Sequence, residues 1–569
     1  MNHRQRALYV IVFLAFGFTL VSLRLVQIML VDHEKYQDLA INNHLRRIEL
    51  PPHRGAIVDS AFNTLAQTRI INDIYLDCQD LKDPEETLKQ IASILELPAD
   101  QLAKSYNPEA RYLPLRKDVE EKMVVALREL KVRNLIFKET SVRSYPNGAH
   151  ASHLIGFLGD DNRGASGIEK QMNSYLRGIP GELWIEKDRK GKEIAAYRRK
   201  DLQPVDGMQV ALTIDLSIQH IIEDQLDKLV QKYQPAGAFV IVMRPRTGEI
   251  LAMANRPTFD PNERRGAKPE QMRNRCITDT FEPGSTFKAV SIAAAINEGV
   301  VTLGTPIFCE NGEFYYGGFT LHDHERYGMM TVREVIAKSS NIGTGKIALM
   351  LGQEKLFPYL QAFGFGRVTG ILSRQGESAG ILRPLSQWSK VSITRVPMGQ
   401  GVAATPLQMI SAMSAVANGG ALMTPRIVKQ VNDSEGRVVE IYSPRMVRQV
   451  IAPSTARMMT QSLEDVVSDQ GTAQAASVPG FTVAGKTGTA QKFVNGEYSK
   501  EKYVASFIGY LPAENPQFVM LVMVDEPKGK QYYGGQVAAP AFAEMSKKIV
   551  QCLNLEPKKE TAGVTQAKL

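Results

Sequence analysis

The sequence predicts an α+β fold in two or more domains behind an N-terminal membrane helix, and three observations carry that prediction. Its 569 residues exceed what a single hydrophobic core usually supports. Strand-like and helix-like stretches are mixed along the chain instead of alternating strictly. Near the amino end, Ala7 to Leu23 is a run of 17 residues without a charge.

That run is roughly 26 Å long as a helix, slightly short of a bilayer core. Arg24 can snorkel, and Leu25 to Val31 extends the apolar stretch far enough to span. Arg4 and Arg6 precede it, which places residues 1–6 in the cytoplasm, 7–31 in the membrane and the bulk of the chain outside. A cleavable signal peptide is the competing reading. The length of the span and the lack of an Ala-x-Ala site favour an uncleaved anchor.

After the anchor, a polar helix-like stretch runs to about Arg47 and is broken by Pro51-Pro52. His53 to Asp59 begins a strand and turn segment, 82–132 reads as mostly helical, and short strands follow from Leu135 past the Ser144-Tyr145-Pro146 break. Gly164 to Glu169 opens a helix that Leu176 to Gly181 closes. A boundary is expected near Asp201 to Gly207, so 32–205 forms one domain and 206–555 the next. In the second, Val210–Ile214 reads as a strand and Leu216–Tyr233 as an amphipathic helix. Ala236–Met243 and Glu249–Ala254 read as a hairpin around Pro245-Arg-Thr-Gly248. A helical middle, about 285–420, precedes strands at Phe481–Ala484, Tyr503–Tyr510 and Phe518–Val524. Residues 556–569 are polar, and the stretch from Pro557 is rich in Lys, Thr and Ala, so a disordered tail is expected.

Composition excludes several functions. A hydrophobic content of 44% and a charged content of 22% are ordinary for a globular protein. The net charge of +8 invites a nucleic-acid or membrane-surface reading, but no basic run or basic-aromatic interleaving supports nucleic acid. Cys78, Cys276, Cys309 and Cys552 are too scattered for a disulfide scaffold or a metal site, and isolated buried thiols are expected. His322-Asp323-His324 lacks the spaced ligands of a metal centre and reads as a polar loop. No phosphate-cradling loop is present, and no cofactor or metal is expected.

Three motifs carry the chemistry: Ser285-Thr-Phe-Lys288, Ser339-Ser-Asn341 and Lys486-Thr-Gly-Thr489. A serine hydroxyl is a weak nucleophile that needs a base beside it. If Ser285 opens a helix after Glu282-Pro-Gly284, Lys288 lies three residues on and shares its face. Lys-Thr-Gly reads as the end of an edge strand, where Gly488 lets a ligand approach the backbone. Each motif alone is weak, since most such triplets are caps, turns or solvated charges. Together and in this order they match the S-x-x-K, S-D-N and K-T-G set of penicillin-binding proteins and class A β-lactamases, with Ser340 in place of the Asp.

The chain thus resembles the class B penicillin-binding proteins, monofunctional peptidoglycan D,D-transpeptidases, from the anchor to about Leu553. Further similarity lies in Arg54–Asp59 with Leu65-Ala66, Gly167-Ile-Glu169 with Leu176-Arg-Gly178, Gly399-Gln-Gly401 and Thr405-Pro-Leu-Gln408. Ala505–Gly509, Tyr533-Gly-Gly535 and Val537–Pro540 resemble the division (septal) branch. One departure follows Asp59, where the family carries an Arg and a Gly and this chain has Ser60 and Phe62; Asn63 is the candidate for the left-handed turn residue.

The resemblance implies an elongated, dimerisation-like pedestal over 32–205. It also implies a transpeptidase domain over 206–555, with a five-stranded antiparallel sheet sandwiched by helices. With no glycan-polymerising domain expected upstream, the enzyme would only cross-link, alongside a membrane-embedded polymerase and divisome proteins. Ser285 attacks a stem peptide ending in D-Ala-D-Ala, and a neutral Lys288 takes its proton. Ser339 relays a proton to the leaving amine, and Asn341 binds a substrate amide and restrains Lys288. Lys486 supplies positive charge, Thr487 and Thr489 bind the terminal carboxylate, and the backbone N–H groups of Ser285 and Thr489 form the oxyanion hole. β-Lactams would acylate Ser285. Competing readings are a side-wall transpeptidase, a β-lactamase, which is about half this length, a β-lactam-sensing receptor, which needs more cytoplasmic or membrane structure, and a catalytically vestigial division protein.

Overall fold

The computed structural model describes residues 2–36, 45–79, 81–186, 200–372, 376–494 and 496–558. They divide into two compact units: Met1–Arg54 with Arg177–Gly207, and Gly55–Leu176 with Met208–Leu569.

In the first unit, helix α1 (His3–Val26) continues through a π turn at Gln27–Val31. Across its 29 residues, an 18-residue window reaches a mean hydropathy of 2.2, long and apolar enough to cross a membrane. None of α1 is buried within the protein. Arg24 donates to Gln27 Oε1 at 2.7 Å, so its charge is partly satisfied at the helix end. The helix anticipated up to about Arg47 has become a strand by Leu45. Leu45–Leu50 pairs antiparallel with Gly181–Glu186, which pairs in turn with Lys200–Leu202.

The second unit takes residues from both anticipated domains, and a sheet explains why. Ile57–Val58 pairs in parallel with Gln209–Leu212 on one side and antiparallel with Thr64–Asp77 on the other. Val428–Asn432 extends the same sheet beyond Gln209–Leu212. Residues 82–132 are mostly helical, as expected, but one strand interrupts them. Tyr112–Val119 lies between helices Ala99–Ser105 and Glu121–Glu129 and pairs with Thr64–Asp77. Its Leu113 and Leu115 pack on the small core of Ile74, Leu76, Ile91 and Leu95, and this tertiary packing overrides a Lys- and Leu-rich local composition.

At the turn after Asp59, Phe62 takes the left-handed conformation, with φ of 66°, and Asn63 does not. Asn63 supports the turn differently, donating from its backbone N and from Nδ2 to the Asp59 carboxylate at 2.8 and 3.0 Å.

Helix α2 (Leu216–Tyr233) occupies the span expected of it. Asp215 caps it by accepting from Ser217 N and Ile218 N, while Ile218, Ile222, Leu226, Leu229 and Tyr233 form its buried stripe. The strands that follow build the main sheet: β1 (Gly237–Met243), β2 (Ile250–Arg256), β3 (Ala484–Val494), β4 (Glu497–Leu511) and β5 (Phe518–Asp525). Their order is β2-β1-β5-β4-β3, all antiparallel, which leaves β3 at an edge. Every residue of β1, β2 and β5 is buried, so both faces of the sheet are covered. Helices α3 (Lys288–Asn297) and α4 (Asn341–Leu351) pack on each other; the sheet itself is covered by α2, by α5 (Pro406–Ala417), by Pro453–Asp465 and by α6 (Gly534–Cys552), which packs on both α2 and β4. Cys78, Cys276 and Cys309 are buried free thiols, whereas Cys552 is exposed. The anticipated tail lies outside the described residues from 559 onward; before it, Lys558 N donates to Gly480 O at 2.8 Å.

Candidate active site

The nucleophile motif is a turn followed by a helix. Gly284–Phe287 forms a 3₁₀ turn, α3 begins at Lys288, and Gly284 takes a φ of 54°. This turn is held from outside by the Gly399-Gln-Gly401 segment. Gly284 N donates to Gly399 O at 3.3 Å, and Gly401 N donates to Glu282 Oε1 at 2.8 Å. A Cβ on Gly399 would sit 2.4 Å from Gly284 O, which is why no side chain fits there.

Ser285 remains half-buried at the surface of this turn, whereas Lys288 is 0% exposed. Burial pushes the Lys288 amine down to about 7, with Asp323 opposing the shift. Its Nζ donates to Ser339 O at 2.5 Å, Ser339 Oγ at 3.2 Å and Asn341 Oδ1 at 2.8 Å. Ser339 turns its carbonyl inward through a left-handed backbone with φ of 62°, an uncommon conformation for a residue with a Cβ. Asn341 begins α4, where Ser340 is the cap and accepts from Gly343 N at 2.9 Å.

Asp323 was not among the sequence-derived site residues. It accepts from Ser340 Oγ at 2.6 Å, from Ile342 N at 3.1 Å and from Asn341 N, and it thereby fixes the entry to α4. His322 O accepts from Asn341 Nδ2 at 2.9 Å. Ser340, standing where related motifs carry an Asp, therefore takes its carboxylate from across the fold. The His-Asp-His tripeptide was the available signal, and its meaning lay in a contact seventeen residues away.

The third motif lies near the beginning of β3, correcting the expected placement at a strand's end. Phe481 makes only an isolated bridge to Val478, and regular pairing starts at Ala484. β3 is nonetheless an edge strand, as expected. Gly488 faces Ser506, and a Cβ there would lie 2.5 Å from Ser506 Oγ and 3.0 Å from Thr286 Cγ2. Lys486 is 0% exposed, and its pKa is held well below the usual lysine range by burial and then by Lys288. Thr487 and Thr472 share a hydroxyl contact at 2.8 Å, and Thr489 Oγ1 accepts from Gly534 N at 3.0 Å.

A cavity of about 260 Å³ joins the three motifs. Ser285, Asn341 and Thr489 line it directly, while Lys288 and Lys486 are buried. Sequence reasoning also missed its far wall. Tyr503 and Tyr533 each stack on Tyr532 with centroids 4.4 Å apart, and His324 meets Tyr533 edge-on at 6.0 Å.

Comparison with known proteins gives the family. Residues 238–547 match the penicillin-binding protein transpeptidase domain, and 49–212 match the penicillin-binding protein dimerisation domain. Stage V sporulation protein D of Bacillus subtilis is 36% identical over 563 residues, covering 98% of this chain and 87% of that protein. The peptidoglycan D,D-transpeptidase FtsI of Escherichia coli is 32% identical, covering 91% of this chain and 87% of FtsI. The crystal structure of penicillin-binding protein 3 from Mycobacterium tuberculosis, complexed with aztreonam, superposes with a TM-score of 0.70 at 28% identity, over 90% of this chain and 98% of that one.

A dimerisation region followed by a serine-and-lysine cleft on an edge strand defines a penicillin-binding transpeptidase. The chain belongs to the class B penicillin-binding proteins and is a peptidoglycan D,D-transpeptidase of the serine type.

Proposed function

We propose that this protein cross-links stem peptides at the division septum through an acyl-enzyme on Ser285, and that β-lactams inhibit it by forming the same bond. The observation that carries the mechanism is Lys288: fully buried, shifted to about 7, and held between Ser339 and Asn341 one helical turn from the surface serine. Deprotonated Lys288 keeps two N–H donors. These stay on Ser339 O and Asn341 Oδ1, the two shorter contacts, and its lone pair is free for the Ser285 proton.

Ser285 Oγ then bonds to the penultimate D-Ala carbonyl carbon. The tetrahedral oxyanion is stabilised by the backbone N–H groups of Ser285 and Thr489, each such donor being worth roughly 3–4 kcal/mol. The bond to the terminal D-Ala breaks as Ser339 passes a proton to its nitrogen. Thr487 and Thr489 bind the terminal carboxylate, Gly488 leaves room for the peptide backbone, and Lys486 provides the field. An amine from a second stem displaces Ser285 and restores its proton. With a β-lactam, the expelled nitrogen stays tethered to the acyl group and blocks that second attack.

The similarity of Ala505–Gly509, Tyr533–Gly535 and Val537–Pro540 to the division branch supports septal use, alongside a glycan polymerase and other division proteins. The 29-residue apolar helix supports a single-pass anchor in the inner membrane, with residues 1–6 cytoplasmic and the catalytic region outside. Fluorescent penicillin should label wild type and leave Ser285→Ala unlabelled. A fluorescent fusion should gather at midcell in dividing cells. Undiminished labelling of Ser285→Ala moves the nucleophile elsewhere, and a fusion confined to the side wall makes it an elongation enzyme.

A further inference from the structure

A second cavity, about 570 Å³, opens beside the catalytic one and shares Gln400 and Gln491 with it. Two arginines, Arg383 and Arg395, line this cavity, and none of its lining residues is an Asp or Glu. Arg395 is half-buried, and burial pulls its pKa down. Its guanidinium makes one long hydrogen bond, from Nη2 to Thr320 O at 3.4 Å, and among the described residues no carboxylate stands within 4.0 Å of it. Other sheltered arginines of this unit are matched: Arg256 with Glu223 and Asp227, Arg275 with Asp279 and Asp525, Arg426 with Glu249. A partly desolvated cation without an anion is costly, and it makes the cavity a place where a carboxylate gains most.

Glu282, an acid on the wall of the catalytic cavity, already accepts two hydrogen bonds through one of its oxygens. Glu282 Oε1 accepts from Gly401 N and from Tyr498 OH at 3.2 Å, and Tyr498 is itself a wall of the second cavity. The residues the two cavities share are thus neutral amides, Gln400 and Gln491, and the second cavity adds a phenol, Tyr498, whose hydroxyl donates to Glu282. Trp388 adds a flat apolar side, fixed by its Nε1 donating to Arg383 O at 2.9 Å.

We infer that this cavity receives a carboxylate of the acceptor stem peptide, held by the Arg383 and Arg395 guanidinium groups while the acceptor amine reaches the Ser285 acyl group. The inference rests on the proposed transpeptidation, in which two stems meet at one serine. The donor's terminal carboxylate has the Thr487 and Thr489 hydroxyls; the acceptor's has to lie elsewhere, and this cavity is contiguous with the site and cationic.

The test uses full-length protein, a stem-peptide donor, and two synthetic acceptors: a stem tetrapeptide with free carboxylates and its fully amidated counterpart. Aminolysis of the acyl-enzyme is measured for wild type, Arg383→Gln and Arg395→Gln, per Ser285 acylatable by penicillin. The free acid should lose about tenfold in apparent affinity in each variant, the loss expected of one charge-assisted hydrogen bond. The amidated acceptor should start about tenfold weaker in wild type and be insensitive to either substitution. Equal losses for both acceptors, no loss for either, or a loss confined to acylation by the donor overturns the inference. If Arg395→Gln fails to fold, exposed Arg383 carries the comparison alone. Failure of wild type to be acylated by penicillin would instead sink the proposed function.

Discussion

Lys288 offers the sharpest test of how burial becomes catalysis. Its pKa falls from 10.5 to about 7 because the amine is wholly enclosed and only Asp323 opposes the shift. A free lysine amine is about 0.03% neutral at pH 7, and the buried one about half neutral, a gain of roughly 10³ in available base. The proposed base is the neutral form, which fixes the sign of the expectation: acylation should rise with pH through the folded pKa and be lost below it. The second-order rate constant for a penicillin should climb about tenfold per pH unit up to about pH 7 and then level. Lys288→Ala should lose about 10²–10⁴-fold, the usual worth of general-base help. Lys288→Arg should be as poor at every pH, since a guanidinium does not deprotonate. Lys486→Ala, which leaves the base and the backbone donors in place, should lose less. Stopped-flow acylation across pH, with melting curves to confirm folding, decides the matter. A flat wild-type profile, or Lys288→Ala acylating faster than Lys486→Ala, would refute the assignment.

Asp323→Asn should slow acylation by about 10–100-fold, because hydrogen bonds to a charged acceptor at the start of α4 are worth about 1.5–3 kcal/mol; the same kinetics check it. Gly399→Ala should displace Gly284, whose carbonyl lies 2.4 Å from the new Cβ, and penicillin labelling should fall well beyond any drop in melting temperature. Glu169→Ala removes the carboxylate 2.7 Å from the Arg143 guanidinium, which is 5% exposed, and should cost about 3–5 kcal/mol in chemical denaturation while acylation of the folded fraction persists.

What the sequence revealed and what it hid follow from the range of the interactions. Helix α2 was legible to the residue because its start is a local cap at Asp215 and its stripe has helical spacing. The three motifs were legible because each is a contiguous segment. Tyr112–Val119 was misread because its strand partner, Thr64–Asp77, is remote, and nothing in a Lys- and Leu-rich stretch announces it. Asp323 was hidden for the same reason. Its role belongs to a loop that returns to the start of α4, and only the folded chain shows that Ser340 has an acidic partner. At the turn after Asp59 the expected residue was wrong, since Asn63 is more valuable bonding Asp59 than adopting the left-handed backbone that fell to Phe62.

Two lysines buried in one site are a poor way to build a stable protein and a direct way to build a base. Lys288 and Lys486 are each 0% exposed, and each charge disfavours the other. Desolvation alone makes both ammonium forms expensive, so the free site has little tendency to hold two positive charges. On the proposed mechanism, a carboxylate at Thr487 and Thr489 would change the balance unequally, because Thr487 and Thr489 belong to the same strand segment as Lys486. Opposite charge favours the protonated form, so substrate would draw the proton to Lys486, and a charged Lys486 would keep Lys288 neutral. The ligand would thereby help to make the base that its own acylation requires. The rigid parts serve that exchange: an edge strand leaves β3 open to the peptide, the left-handed Ser339 aims a carbonyl at Lys288, and Asp323 holds Asn341 where its amide oxygen meets the same nitrogen.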